Sequence, residues 1–391
     1  MSYKDEAVLN LTGVKAFKEL AKTNIIKTDK GFDLLKSSAI FGSNAGGKSN
    51  LILAVDFMEE LIRNSFADSL KKDEDKKRTD YYFKLSTETE NDPTSFEISF
   101  LLKDIIYRYG FEIKGYEIIS EWLFKKKETE IFLFKRKGQK FTINEKNFTE
   151  GKKYKNDVNS NVLFLSYLAQ NNAKQASIIF EGFSNLNVIN GLDEDYYKNA
   201  TQTLLNFPQF KTWLNLAVRF LEISTIESTK EKSIISYHNK FDNNNVIIDS
   251  VAFDFEADES AGTKKIIYLL GALYDTLVHG KTLFIDELDA KLHPNLSKKI
   301  LDFFHRFNLN NAQFVFTAHD SILLDKDLLR RDQIWFVDRN KFGSSQLYSM
   351  SDFDASVVRN TSDFKKKYLD SVFGAAETIE ISKELIKLMY E

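Results

Sequence analysis

Phe41-Gly42-Ser43-Asn44-Ala45-Gly46-Gly47-Lys48-Ser49 constrains this chain more than any other stretch, because it satisfies G-x-x-x-x-G-K-[ST] at every fixed position. Gly42, Gly46 and Gly47 leave the loop without side chains that would hold a ligand off. Successive backbone N–H groups can therefore converge on phosphate oxygens, with Ser43, Asn44 and Ala45 completing the cradle. Lys48 supplies a cation suited to β- and γ-phosphates, and Ser49 a hydroxyl suited to Mg²⁺. The flanks agree with this reading: Ser38-Ala39-Ile40-Phe41 has the form of a buried strand, and Leu51, Ala54, Val55, Met58, Leu61 and Ile62 recur at helical spacing. Strand, glycine loop and helix in that order predict an α/β fold.

A second apolar strand, Thr282-Leu283-Phe284-Ile285, ends in Asp286-Glu287. This is the form of a Walker B element, in which the strand delivers Asp286 to a Mg²⁺ shell and leaves Glu287 to orient or deprotonate an attacking water. Between the two motifs lies Glu259-Ser260-Ala261-Gly262-Thr263, followed by an amphipathic helix from Lys264 to Val278. Small residues at a helix start suit an anion, and Ser260 equally suits an ordinary N-cap; the residues alone leave both open. Downstream come Leu288-Asp289-Ala290-Lys291-Leu292-His293-Pro294, a helix through Phe304, the strand Phe314-Val315-Phe316, and Thr317-Ala318-His319-Asp320. His319, at a strand end one helix beyond the acidic pair, is placed to reach a γ-phosphate; His238 and His305 read as solvent or packing residues.

Three blocks are expected. Residues 1–150 form the first part of an ATPase core, with a charged loop from Lys71 to Asp80 and an antiparallel β-meander through Phe96 to Lys135. Residues 151–245 form a mainly helical insertion, and residues 246–391 complete the core. A formal net charge of -3 offers no general attraction to a polyanion, so contact with nucleic acid would need a local patch. Lys125-Lys126-Lys127, Lys135-Arg136-Lys137 and Lys365-Lys366-Lys367 are read as solvated faces. With no cysteine there is no disulfide, thiolate metal site or Cys nucleophile. The N-terminus lacks the order of a secretory signal and no run has the length of a membrane span, so a cytoplasmic location is expected.

Taken together, GxxxxGKS, Ser-Ala-Gly-Thr opening a helix, Ile-Asp-Glu-Leu-Asp, Leu-His-Pro and Thr-Ala-His-Asp resemble the ABC-type ATPases of the RecF/SMC branch. Within that branch the chain is most similar to compact AAA-family ATPases of anti-phage and abortive-infection operons, the RloA, PARIS, Septu and OLD relatives. Arg330-Arg331-Asp332-Gln333-Ile334-Trp335-Phe336-Val337, with Gly343-Ser344-Ser345 and Leu347-Tyr348-Ser349 after it, also looks like the RloA-type subset. The resemblance implies a two-lobe head that binds ATP and Mg²⁺, hydrolyses ATP, and forms a homodimer or higher assembly around sandwiched nucleotide. It makes Ser260 and Gly262 the signature that meets the γ-phosphate of the opposite protomer, Asp289 the D-loop carboxylate and His319 the switch histidine. It also implies a separately encoded effector, a nuclease or toxin, and no nuclease in this chain. No Gln precedes Gln139, so the Q-loop of such ATPases has no counterpart at its usual place. A RecF-like DNA repair ATPase and an ATP-dependent scaffold that does not hydrolyse are the alternatives. Glu287 argues against the scaffold, and the Asp-Glu pair, the Ser-Ala-Gly-Thr helix and His319 have no role in a P-loop kinase.

Overall fold

The computed structural model describes residues 2–69, 81–189, 195–229 and 233–376; the expected loop from Lys71 to Asp80 lies outside them. Three short strands, β1 (Thr12–Gly13), β2 (Ile25–Ile26) and β3 (Asp33–Leu35), form a small antiparallel sheet at the start. Strand β4 (Ser37–Gly42) follows, buried at every position, and runs through the glycine loop into α1 (Lys48–Asp68). Helix α1 buries Ile52, Met58 and Ile62 along one stripe.

Strands β5 (Thr94–Leu102), β6 (Ile105–Lys114), β7 (Glu117–Lys126), β8 (Glu130–Lys137) and β9 (Lys140–Ile143) form the expected antiparallel meander, paired in sequence order. Alternate positions on β6 bury Tyr107, Tyr109, Phe111 and Ile113. They share one core with Met58 and Ile62 of α1 and with the helices α2 (Thr149–Tyr154), α3 (Phe164–Gln170) and α4 (Lys174–Phe183).

The same alternation corrects the expectation for Lys135-Arg136-Lys137. Arg136 points inward and is buried, donating to the carbonyls of Val162 and Asn159 and lying 3.5 Å from Glu121. Glu121, also buried, accepts the backbone N–H of Phe164 at 2.7 Å and of Leu165 at 3.0 Å, and the Tyr109 hydroxyl at 2.9 Å. A buried charge is tolerable when every lone pair has a donor, and here that requirement ties the meander to the start of α3.

The block 151–245, expected to be mainly helical, contains a strand, β10 (Leu186–Ile189), between α4 and the helices α5 (Asp195–Leu204) and α6 (Pro208–Ala217). Leu-Asn-Val-Ile is too short to show a period of its own. Strands β11 (Ile223–Ser228), β12 (Ile234–Phe241) and β13 (Ile247–Asp254) form a three-stranded antiparallel sheet. The short α7 (Phe255–Asp258) leads to α8 (Ala261–His279), which starts three residues earlier than its apolar pattern indicates, because Ser260 caps it by accepting from Thr263 N. Then come β14 (Thr282–Ile285), α9 (Pro294–Phe307), β15 (Gln313–Thr317), β16 (Ile334–Arg339), β17 (Ser345–Ser349) and α10 (Phe364–Leu369).

The central sheet has six strands in the order β10-β14-β15-β4-β16-β17, all parallel except β17, so the fold is mixed α/β with a largely parallel core. Parallel pairing of β14, β15 and β4 has a direct consequence. The glycine loop, Asp286-Glu287 and His319 each follow the carboxyl end of one of three adjacent strands, so all emerge at one edge. Among the described residues no helix is long and apolar enough to cross a membrane.

Candidate nucleotide site

The loop between β4 and α1 is shaped by its glycines. Gly47 sits at φ 114°, a conformation side chains disfavour, and a Cβ there would run into the side chains of Ser345 and Ser2. A Cβ at Gly42 would collide with the carbonyl of Val337 on β16. Ala45 also takes a left-handed conformation, and Gly46 N closes a turn onto Ser43 O at 3.1 Å. Lys48, 5% exposed, curls over the loop and donates to Gly42 O at 2.8 Å and Ser43 O at 3.0 Å.

One cavity of about 420 Å³ is lined by Asn44, Ala45, Gly46, Gly47, Lys48 and Ser49 together with Glu287 and His319. Glu287 stands in a left-handed conformation, φ 52°, and its Oε1 lies 3.7 Å from His319 Nε2. A non-glycine residue held in that region at a functional loop stores strain that the surrounding contacts must sustain. Those contacts are present: Glu287 N donates to Thr317 Oγ1 at 2.7 Å, and Lys265 Nζ of α8 donates to Glu287 O at 2.8 Å.

Asp286 sits behind this edge, 4% exposed, with its Oδ1 accepting from Thr317 Oγ1 at 2.6 Å. Asp289 accepts the backbone N–H of His319 at 2.9 Å and that of Asp320, which holds the turn carrying the histidine. Thr317, Lys265, Phe83, Leu85 and Arg339 are additions to the residues given a site role from sequence; the last three line the same cavity. Thr317 had a signal, a hydroxyl closing an apolar strand two residues before His319. The others had none, since no local pattern marks them.

Of the residues named from sequence, Gly42, Ser43, Ser260, Gly262, Asp286 and Asp289 do not line that cavity. Ser260 is exposed and Gly262 half-buried at the start of α8, and a Cβ at Gly262 would come 3.1 Å from Lys291 O, so this corner abuts the loop after Glu287. His305, read as a solvent or packing residue, is buried with Nε2 2.7 Å from Ser37 Oγ. Burial, with the Lys36 cation nearby, lowers its pKa to about 3.

The donor set fits a nucleoside triphosphate with Mg²⁺. A loop closed to a Cβ at Gly42, Gly46 and Gly47 leaves backbone N–H groups close to an anion, Lys48 adds charge, and Ser49 on the cavity wall and Asp286 buried behind it are the oxygen donors that would hold the ion.

Among solved structures, the chain is similar to the SMC head domain from Thermotoga maritima, at 13% identity over 80% of this chain and 90% of that one, with a TM-score of 0.38. An Smc head domain bound to the C-terminal domain of ScpA, derived from Pyrococcus furiosus, aligns at 11% identity over 87% and 95%, with a TM-score of 0.31. The recombination mediator protein RecF of the RecFOR pathway aligns at 14% identity over 83% and 95%, with a TM-score of 0.28. No curated protein matches the sequence. The family match extends over residues 37–325, from β4 through the turn after His319, and on it the chain belongs to the AAA-domain family described as a putative AbiEii toxin of a Type IV TA system.

Proposed function

We propose that this chain binds ATP with Mg²⁺ and hydrolyses it, with Lys48 compensating phosphate charge, Ser49 and Asp286 holding the ion, and Glu287 orienting the attacking water beside His319. One observation carries this: the phosphate cradle, Glu287 and His319 converge on a single cavity although they lie on three strands far apart in sequence. Two copies then close around nucleotide, with Ser260 and Gly262 of one copy meeting the phosphates of the other. The exposure of Ser260, and the place of both residues outside the cavity of their own chain, support that arrangement.

The output of the cycle is control of a separately encoded effector, a nuclease or toxin, in cytoplasmic anti-phage defence. The family description, which names a putative AbiEii toxin and a toxin–antitoxin system, supports this role. The test is direct. Purified protein is assayed for Mg²⁺-dependent release of phosphate from ATP and for nucleotide-driven dimerisation by light scattering. Absence of nucleotide binding in the wild type would remove the proposal at its root.

A further inference from the structure

The outer face of the glycine loop carries two hydrogen bonds from residues remote in sequence. Ser345 Oγ donates to Gly46 O at 2.6 Å, and Tyr3 OH donates to Gly47 O at 3.2 Å. In a trans peptide the C=O of one residue and the N–H of the next point in opposite directions. Drawing the Gly46 carbonyl outward therefore turns Gly47 N–H inward, and drawing the Gly47 carbonyl outward does the same for Lys48 N–H. Both residues line the cavity.

A glycine pair needs such partners. Without Cβ atoms the peptide planes of Gly46 and Gly47 rotate at small cost, so the direction of the inner donors is weakly set by the loop itself. The clamp is itself fixed in place. Ser345 is 3% exposed, opposes Arg339 in the pairing of β16 with β17, and donates its own N–H to Ser2 O at 2.8 Å. It is pressed so closely on the loop that a Cβ at Gly47 would strike its side chain. Burial raises the Tyr3 phenol above its ordinary pKa, so the hydroxyl stays protonated and donates.

We infer that Tyr3 and Ser345 are positioning residues of the phosphate cradle, holding the Gly46 and Gly47 peptide planes so that the following N–H groups face the phosphates of a nucleoside di- or triphosphate. This rests on the nucleotide reading of the site. Neither hydroxyl touches the ligand; each acts through a carbonyl on the opposite side of the loop.

Calorimetric titration with Mg-ADP and Mg-ATP tests the inference on wild type, Ser345→Ala, Tyr3→Phe and Ser345→Thr. Loss of either hydroxyl is expected to raise Kd for both nucleotides about tenfold, the scale of one hydrogen bond to a charged group. Ser345→Thr, which keeps the hydroxyl, should stay within about threefold of wild type. Melting temperature without nucleotide should change by less than about 2 °C in Tyr3→Phe, which keeps the ring packing, so weaker binding there reports loop geometry rather than unfolding. Unchanged Kd in both hydroxyl deletions, or equal weakening in Ser345→Thr, would overturn the clamp. Lys48→Ala separates the two levels. If wild type binds and Lys48→Ala does not, while Ser345→Ala and Tyr3→Phe bind as wild type, the nucleotide site stands and the clamp falls. If wild type binds neither nucleotide, the site itself is wrong.

Discussion

Thr317 donates its hydroxyl to Asp286 Oδ1 across 2.6 Å and, through the same oxygen, accepts the backbone N–H of Glu287 at 2.7 Å. A single side chain on β15 thus orients both members of the acidic pair that follows β14, and its strand leads directly to His319. Replacing Thr317 with Val keeps the shape and removes both bonds, leaving a buried carboxylate short of a partner. The expected cost is about 1–3 kcal/mol of stability by denaturant titration. Turnover should fall about tenfold or more with ATP affinity nearly unchanged, and Thr317→Ser should recover most of it. A Val variant with full turnover would show that the pair is positioned by its backbone alone.

Lys48 and Glu287 line the same cavity, and the roles proposed for them fall at different stages, so their variants should differ. Lys48→Ala removes phosphate charge compensation and should abolish nucleotide binding in calorimetry or filter assays. Glu287→Gln removes only the group that orients water; ATP binding should survive while hydrolysis falls by about a hundredfold or more. Equal loss of ATP binding in both would contradict these roles.

The Mg²⁺ assignment predicts that excess EDTA stops hydrolysis and that added Mg²⁺ restores it. Asp286→Ala should stay inactive at any ATP concentration, because the defect lies in holding the ion rather than in occupancy. Hydrolysis that continues undiminished in EDTA would take the metal out of the account.

The composite site predicts complementation. Ser260→Arg should bind ATP through its own glycine loop yet place a bulky cation where the phosphates of a second copy must dock, so the homomer should not turn over. Mixed with Lys48→Ala, it forms heterodimers containing one site with both elements intact, and activity should partly return. The readout is phosphate release from differently tagged, co-purified subunits. Fully active Ser260→Arg homomers, with no recovery on mixing, would reduce Ser260 to the cap of α8 that it already forms with Thr263 N.

His305 predicts a pH dependence of folding. Its folded pKa is lowered from 6.5 to about 3 by burial, so the native imidazole stays neutral while the unfolded one takes a proton as pH falls below 6.5. Stability is therefore fully present above pH 6.5 and lost progressively toward pH 3. At pH 5 the loss is about 2 kcal/mol relative to pH 7. Urea titrations of wild type and His305→Gln at both pH values isolate this contribution, since other groups cancel in the difference. An identical pH dependence in the two proteins would show that His305 is not buried neutral.

The residues proposed for the site were legible in the order of the sequence. Four fixed positions from Gly42 to Ser49, the apolar run into Asp286-Glu287 and the strand before His319 each carry their meaning within a few residues. Such signals survive because a phosphate cradle needs adjacent N–H groups, and a parallel strand needs contiguous apolar residues. Periodicity likewise marked α1, α8 and the meander, where one face must be buried along a whole element.

Tertiary structure alone decided what no window of sequence contains. The order β14-β15-β4 brings three motifs to one edge, a fact of pairing rather than of any strand's composition. β10 is four residues long, and becomes a strand because β14 offers it an unpaired edge among the described residues. Arg136, flanked by lysines and indistinguishable from them by charge, turns inward because the pleat of β8 places it opposite Glu121. Tyr3 and Ser345 reach the glycine loop from opposite ends of the chain. Their partners are carbonyl groups, which every residue possesses, so only folding could select Gly46 and Gly47.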